Sequence, residues 1–187
     1  MTKIGVVIST TRPSRKGPVV AKWLLQQIDK LDIKDAHFEI IDLKEEDLPF
    51  LNEKNSPAEG KYEHDSTKKW SKKVASCDGF IFITAEYNNG PPAPLKNAID
   101  TVYHEWDRKP VAFVGYGTYG ATRAVEQLVD ITAKIGMAPL SKTFVGITKF
   151  WDAIDDSGNI KDQYINGDVA KLINNLLWWA DALNNRS

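Results

Sequence analysis

Gly79-Phe80-Ile81-Phe82-Ile83 is a nearly continuous apolar run that ends in the polar stretch Thr84 to Asp100. Such a run is expected of a strand buried on both faces of a parallel sheet. Asn88-Asn89-Gly90-Pro91-Pro92 supplies turn chemistry, with Gly90 free to take positive φ and two prolines without an amide donor. From Leu95 the period turns helical, with Leu95, Ile99 and Val102 on one face. Open α/β sheets bind ligands where a strand gives way to a turn and a helix. Glu86, Tyr87, Asn88 and Asn89 are too polar and too large for a bare connector at that point.

The same alternation runs through the chain. Lys3 to Ile8 reads as strand one, followed by a loop of hydroxyls and cations, Ser9 to Gly17. Pro18 suits the first turn of a helix that buries Val20, Trp23, Leu24, Ile28 and Leu31. His37 to Leu43 reads as strand two. The charged segment from Lys44 to His64, with Leu48-Pro49-Phe50-Leu51 at its centre, is a long excursion. It is read either as cover for a ligand or a neighbouring subunit, or as a cap on the sheet edge. Asp65 or Ser66 caps a helix that ends near Cys77 and turns Trp70, Val74 and Ala75 inward. After strand three, Pro110 to Val114 is strand four, and a helix bearing Ala124, Val125, Leu128, Ile131 and Ile135 leads to strand five around Ala138 to Ile147. Lys149 to Gln163, including Asp155-Asp156-Ser157-Gly158-Asn159, is a polar loop before the last helix. There Trp178 and Trp179 sit about 100° apart, one free for an interface and one packed inward. The expectation is a single doubly wound α/β domain over 1–187, with five parallel strands in the flavodoxin-like order 2-1-3-4-5.

Several function classes fall away. Twenty-four basic and 25 acidic residues nearly cancel, so electrostatics makes no case for nucleic acid or an anionic membrane as partner. No apolar run has the length of a membrane span, and the expected setting is soluble and cytoplasmic. Cys77 is the only cysteine and the three histidines are scattered, which leaves no disulfide and no metal-ligand spacing. Asp42 is placed to hold an NAD ribose as in short-chain dehydrogenases, but none of the six tyrosines has Lys four residues on. A phosphatase of similar architecture needs Arg six residues after its Cys, where this chain has Ile83, and the Gly-x-Ser-x-Gly elbow of hydrolases is absent.

What remains is anion and flat-ring chemistry on three loops. Hydroxyls of Ser9, Thr10, Thr11 and Ser14 donate to phosphate oxygens, and Arg12 and Arg15 add charge at a strand-to-helix turn. Without a dinucleotide or P-loop glycine pattern, a compact terminal phosphate fits better than a pyrophosphate. Gly115, Gly117 and Gly120, around Tyr116 and Thr118, let a backbone approach a ligand ahead of the next helix.

Glu86 to Asp100, E-Y-N-x-G-x-P-x-x-L-K-N-A-I-D, resembles the flavin-contacting signature of the NADPH-dependent FMN reductase family. Ser9, Thr10, Arg12 and Arg15 match the family's G-S-x-R-x-x-R segment, with Ser9 for glycine and Thr10 for serine. The likeness runs from Lys3 to about Leu128 and is closest over Leu95 to Trp106. It implies bound FMN, with Ala85, Glu86, Tyr87, Asn88 and Asn89 bordering the ring and the Gly115–Gly120 loop favouring the charge of the reduced flavin. It also implies NAD(P)H as co-substrate, NADPH favoured, and a small acceptor: quinone, free flavin, azo compound or chromate. A homodimer or dimer of dimers, no protein acid–base residue, a structural His104 and a ping-pong order complete the expectation. The alternatives are a flavodoxin-like electron carrier for protein partners or a short-chain-type dinucleotide-binding protein.

Overall fold

The structure, a computed structural model, describes residues 1–155 and 158–184, so Asp156 and Ser157 of the expected polar loop lie outside the described residues. In chain order the elements are β1 (Thr2–Ile8), α1 (Gly17–Asp29), β2 (Ala36–Asp42), α2 (Leu43–Glu46), α3 (Asp65–Ala75), β3 (Gly79–Ala85) and α4 (Ala93–Thr101). Then come β4 (Pro110–Tyr116), α5 (Thr122–Lys134), β5 (Ala138–Pro139), β6 (Val145–Ile147), α6 (Phe150–Ala153), β7 (Ile165–Asn166) and α7 (Val169–Asn184).

Every residue of β3 and β4 is buried, which is why both read as unbroken apolar runs. Alternate side chains feed two cores. Val6, Ile8, Ile81, Ile83 and Val114 meet α1 and α7 through Leu24, Leu172 and Leu176. Val7, Phe80, Phe82 and Phe113 meet the other layer through Trp70, Ile99, Trp106 and Leu128. Phe80 lies 4.9 Å, centroid to centroid, from Trp106, whose indole N–H donates to the Ile99 carbonyl at 3.1 Å. A helix layer on each face of a mainly parallel sheet is the doubly wound architecture.

The strand order begins 2-1-3-4 as expected. The fifth strand is broken. Ala138–Pro139 pairs with the start of β4, Val145–Ile147 with its end, and a 3₁₀ turn at Ser141–Thr143 loops out between them. Ala138 N and Leu140 N donate to the Lys109 and Val111 carbonyls, at 3.0 and 2.8 Å, so the missing amide of Pro139 falls on the side turned away from β4, and the break comes after Leu140. β7 then adds an antiparallel edge against Gly146 and Ile147, making a 7-stranded sheet. Two-residue strands such as β5 and β7 carry no period for a sequence to show. At α3 the N-cap is His64, not Asp65 or Ser66, and Thr67 faces inward while Ala75 is exposed. On α7, Trp178 is exposed and Trp179 packs against the core.

The excursion is folded. It opens with α2, contains a 3₁₀ turn at Pro57–Glu59, and lies over α3 and α4. Asn97 of α4 grips it in both senses, accepting from Leu51 N at 3.0 Å and donating to the Pro49 carbonyl at 2.9 Å. Glu105 accepts from Tyr62 Oη at 2.9 Å and Ser71 Oγ at 2.6 Å, and His104 Nε2 meets the Ala58 carbonyl at 2.7 Å.

Candidate active site

β1, β3 and β4 finish together, with Ile8 beside Ile83 and Ala85 beside Tyr116, so their loops converge where the chain order reverses across the sheet. A cavity of about 260 Å³ opens there. Its walls are Arg12, Ser14, Arg15 and Lys16 of the first loop, Ala85, Glu86 and Tyr87 of the second, Tyr116, Gly117 and Thr118 of the third, and Phe150 and Trp151 of α6.

The first loop turns at Arg12–Arg15, where Arg15 N donates to the Arg12 carbonyl at 3.0 Å. Ser9 and Thr10 lie beneath it, fully buried. The Ser9 hydroxyl has no hydrogen-bond partner, and the Thr10 hydroxyl shares a 3.2 Å hydrogen bond with Tyr116 Oη. Burial pushes the Tyr116 phenol up to about 12, so it stays neutral at physiological pH. Gly17 has to be glycine here, because a Cβ would come within 2.5 Å of Ile8 Cγ2 and 2.7 Å of Thr10 Oγ1. Thr11 faces a neighbouring cavity of about 350 Å³, shared with Lys44, Leu48, Phe50 and Asn97.

The two arginines divide. Arg15 makes a forked pair with Asp42, Nη2 to Oδ2 at 2.6 Å, and also donates to the Thr10 carbonyl at 2.9 Å. This hydrogen bonding to Asp42 raises the Arg15 pKa further and commits both charges to holding the loop. Asp42, a possible ribose ligand on sequence alone, is therefore engaged. Arg12 and Lys16 make no ion pair among the described residues. Arg12 lies 6.0 Å from the Tyr87 ring centroid and Lys16 Nζ 5.9 Å from that of Trp151.

The second loop is a two-residue hairpin. Tyr87 and Gly90 exchange both backbone hydrogen bonds, at 2.9 and 3.1 Å, around Asn88 (φ 52°) and Asn89 (φ 66°). Positive φ thus falls on the two asparagines and not on Gly90, which corrects the sequence expectation; asparagine tolerates this region better than other side chains. Gln127 of α5 secures the turn through the Asn89 carbonyl at 2.7 Å. Asn88 and Asn89 are exposed and do not line the cavity.

The third loop corrects the sequence reading twice. A Cβ at Gly115 would lie 2.2 Å from the Gly120 carbonyl oxygen, and one at Gly120 would lie 3.2 Å from Gly146 Cα. These glycines admit other backbone, and only Gly117, with φ 146° and nothing within 4 Å, faces open space. The first turn of α5 is also closed. Glu86 Oε2 accepts from Arg123 N at 3.0 Å and Ala124 N at 3.4 Å. By contrast α1 starts with no side-chain cap and no acidic residue in its first turn.

Lys16, Phe150 and Trp151 were not singled out from sequence. The available signal was an aromatic pair directly after strand five, at the edge where the other loops emerge. Phe150 is buried with its ring 4.9 Å from that of Tyr116, and Trp151 is 75% exposed.

The donor set fits FMN. An uncapped helix end with unpaired Arg12 and Lys16 beside it suits one phosphate dianion. Tyr87 and the open backbone at Gly117 suit a flat ring next to it. His104 stands outside this cavity, and the described residues include no group of His, Cys, Asp or Glu able to hold a metal ion.

The fold and this switch-point cavity define a flavodoxin-like flavoprotein. A solved flavoenzyme NAD(P)H:(acceptor) oxidoreductase from Paracoccus denitrificans superposes with a TM-score of 0.70 at 23% identity, covering 99% of this chain and 98% of that one. The family model for NADPH-dependent FMN reductase matches residues 2–152, and the chain belongs to that family. An NAD(P)H-dependent FMN reductase of Schizosaccharomyces pombe is 36% identical over 143 residues, covering 73% of this chain and 70% of the relative. A 2-hydroxy-1,4-benzoquinone reductase of a Burkholderia species is 26% identical over 168 residues, covering 84% and 85%.

Proposed function

We propose that this chain is an NAD(P)H-driven reductase of quinones or similarly small acceptors, working through FMN by a ping-pong sequence. FMN, when bound, supplies the chemistry by taking a hydride from the nicotinamide and giving the electron pair to the acceptor. The observation that carries the reading is the asymmetry between two helix ends. The α1 end is uncapped beside Arg12 and Lys16, whereas the α5 end is filled by Glu86. One phosphate site then serves one resident mononucleotide. Arg12, Ser14, Lys16 and the Gly17 amide at the start of α1 hold that phosphate, Tyr87 and Gly117 border the ring, and Glu86 and Tyr116 set the walls. With one cavity lined by Tyr87 and Gly117, donor and acceptor use the same open ring face in turn.

Phe50 and Leu51, 79% and 41% exposed beside the neighbouring cavity, are the apolar surface that a homodimer would cover. None of the described helices is long and apolar enough to cross a membrane, and the lone cysteine is buried, in keeping with a cytoplasmic setting. The test is an initial-rate study with NADPH varied at several fixed benzoquinone concentrations. Parallel double-reciprocal lines are expected, and lines that intersect left of the axis would refute the shared-face sequence. A purified protein that takes up no FMN on titration would refute the flavin reading itself.

A further inference from the structure

β2 is a seven-residue edge strand, and its outer side has no partner strand among the described residues. Thr2 N donates to the Asp35 carbonyl, so the alternation of a parallel ladder turns Asp35, His37, Glu39 and Ile41 toward β1. Ala36, Phe38 and Ile40 therefore direct their amides and carbonyls outward. The opposite edge, β7, is only two residues long, which is one way that sheets avoid pairing with other chains. β2 has no such protection, and Ala36 to Asp42 contains neither proline nor lysine. Its α1 flank is also apolar and open. Ile40 is 37% exposed and lines a cavity of about 480 Å³ with Pro18, Ala21 and Leu25. A second cavity, of about 400 Å³, opens beside Ala36 and Phe38 and is lined also by Leu25, Ile28 and Ile33.

We infer that β2 pairs antiparallel with β2 of a second copy of this chain, with Phe38 on the two-fold axis. In that register Phe38 faces the partner's Phe38, and Ala36 faces the partner's Ile40. The outward residues of each strand then exchange all their amides and carbonyls, and a large side chain meets a small one at the second cavity. On the other face of the sheet, His37 falls opposite the partner's Glu39, and Glu39 opposite the partner's His37. These are non-hydrogen-bonded positions, where cross-strand side chains approach most closely. Lys3 takes one oxygen of Glu39, at 2.6 Å, which leaves Oε1 to the partner's His37. Moving one strand by two residues would set Glu39 against the partner's Glu39, or His37 against the partner's His37, so charge selects this register. An unrelated extended peptide would gain the backbone bonds but not this reciprocal set, which is why the occupant is a second copy.

The test is sedimentation equilibrium of the full chain and its variants, with circular dichroism to confirm that each variant is folded. His37→Glu sets like charges across the axis at an exposed position and should weaken association by about tenfold or more. The mass should therefore halve at a concentration where the wild type is paired. His37→Lys keeps opposite charges and should hold the wild-type mass. Ile40 and Phe50 line separate cavities, so the halving is expected whether or not the Phe50 face makes a contact of its own. Disulfide trapping reads the register. Phe38→Cys should cross-link two copies under mild oxidation, since a hydrogen-bonded pair on the axis brings its Cα atoms to about 5.5 Å. Ile40→Cys, at the more exposed position, faces Ala36 and should not cross-link. A folded His37→Glu variant with the wild-type mass would overturn the inference and leave this edge to another extended chain. Cross-linking of Ile40→Cys as readily as Phe38→Cys would overturn it too, because the two copies would then meet without this register.

Discussion

Glu86 and Arg123 join the second cavity loop to α5: the carboxylate accepts from the Arg123 amide and from its guanidinium, each at 3.0 Å. Glu86 thereby offsets the positive charge that the start of α5 and the Arg123 guanidinium would otherwise present at the cavity wall. Flavin reduction adds negative charge, and Glu86 cancels the positive groups on this wall that would otherwise favour it. Glu86→Gln keeps an oxygen acceptor for the cap and removes the charge. Its two-electron midpoint potential should rise by about 20–40 mV, the equivalent of roughly 1–2 kcal/mol. Spectroelectrochemical titration measures this, and an unchanged or lower potential would contradict the argument.

The first loop separates binding from folding in two arginines. Arg12→Ala should weaken FMN by about tenfold or more while riboflavin changes little, because a charge-assisted phosphate contact is what disappears. Arg15→Ala leaves Asp42 half-buried without its forked partner. A loss on the order of 1–3 kcal/mol in unfolding free energy is expected, with FMN and riboflavin weakened alike. Flavin fluorescence titration and denaturant melts separate the two variants.

Much of this was visible in the sequence, for identifiable reasons. Phe80 to Ile83 and Val111 to Val114 are buried on both faces, so their apolar runs announced the central strands and hence the edge where the loops meet. The pairings that decide which loop residues face the cavity were not legible. Arg12 and Arg15 look equivalent in sequence, and only the return of β2 beside β1, with Ile8 opposite Asp42, brings a carboxylate to Arg15. Asn88 and Asn89 read as ligand contacts because asparagine serves equally well in a positive-φ turn. Trp151 arrives from a strand broken at the Ser141–Thr143 turn, whose far half is only three residues long and shows no period.

Two phenols shape the alkaline limit of stability. Burial pushes Tyr116 and Tyr62 up to about 12 in each case, with the Glu105 hydrogen bond adding to the rise at Tyr62. An unfolded tyrosine ionises near 10, so the unfolded state releases these protons first. The contribution is complete below pH ~10 and is lost as pH climbs toward ~12. For the more buried Tyr116 it is on the order of 2 kcal/mol. Tyr116→Phe should flatten part of the decline in melting temperature between pH ~10 and ~11.5, and an unaltered pH profile would show that its phenol already ionises normally in the fold.

Asn97 provides a test confined to one segment. Its amide accepts from Leu51 N and donates to the Pro49 carbonyl, and Phe50 lies between these two holds at the mouth of the second cavity. Each exposed hydrogen bond of this kind contributes about 0.5–1.5 kcal/mol, enough to govern local opening but small beside the whole fold. Asn97→Ala should therefore speed hydrogen exchange at the Leu51 amide by about tenfold while the global melting temperature falls by only a few degrees. Asn97→Asp retains the acceptor for Leu51 N and loses only the donor to Pro49, so its exchange should lie between wild type and Asn97→Ala. If both variants exchange like wild type at Leu51, the excursion is held by its other contacts, among them Glu46 with Lys73, Tyr62 with Glu105 and Ala58 with His104, and Asn97 has no part in positioning Phe50.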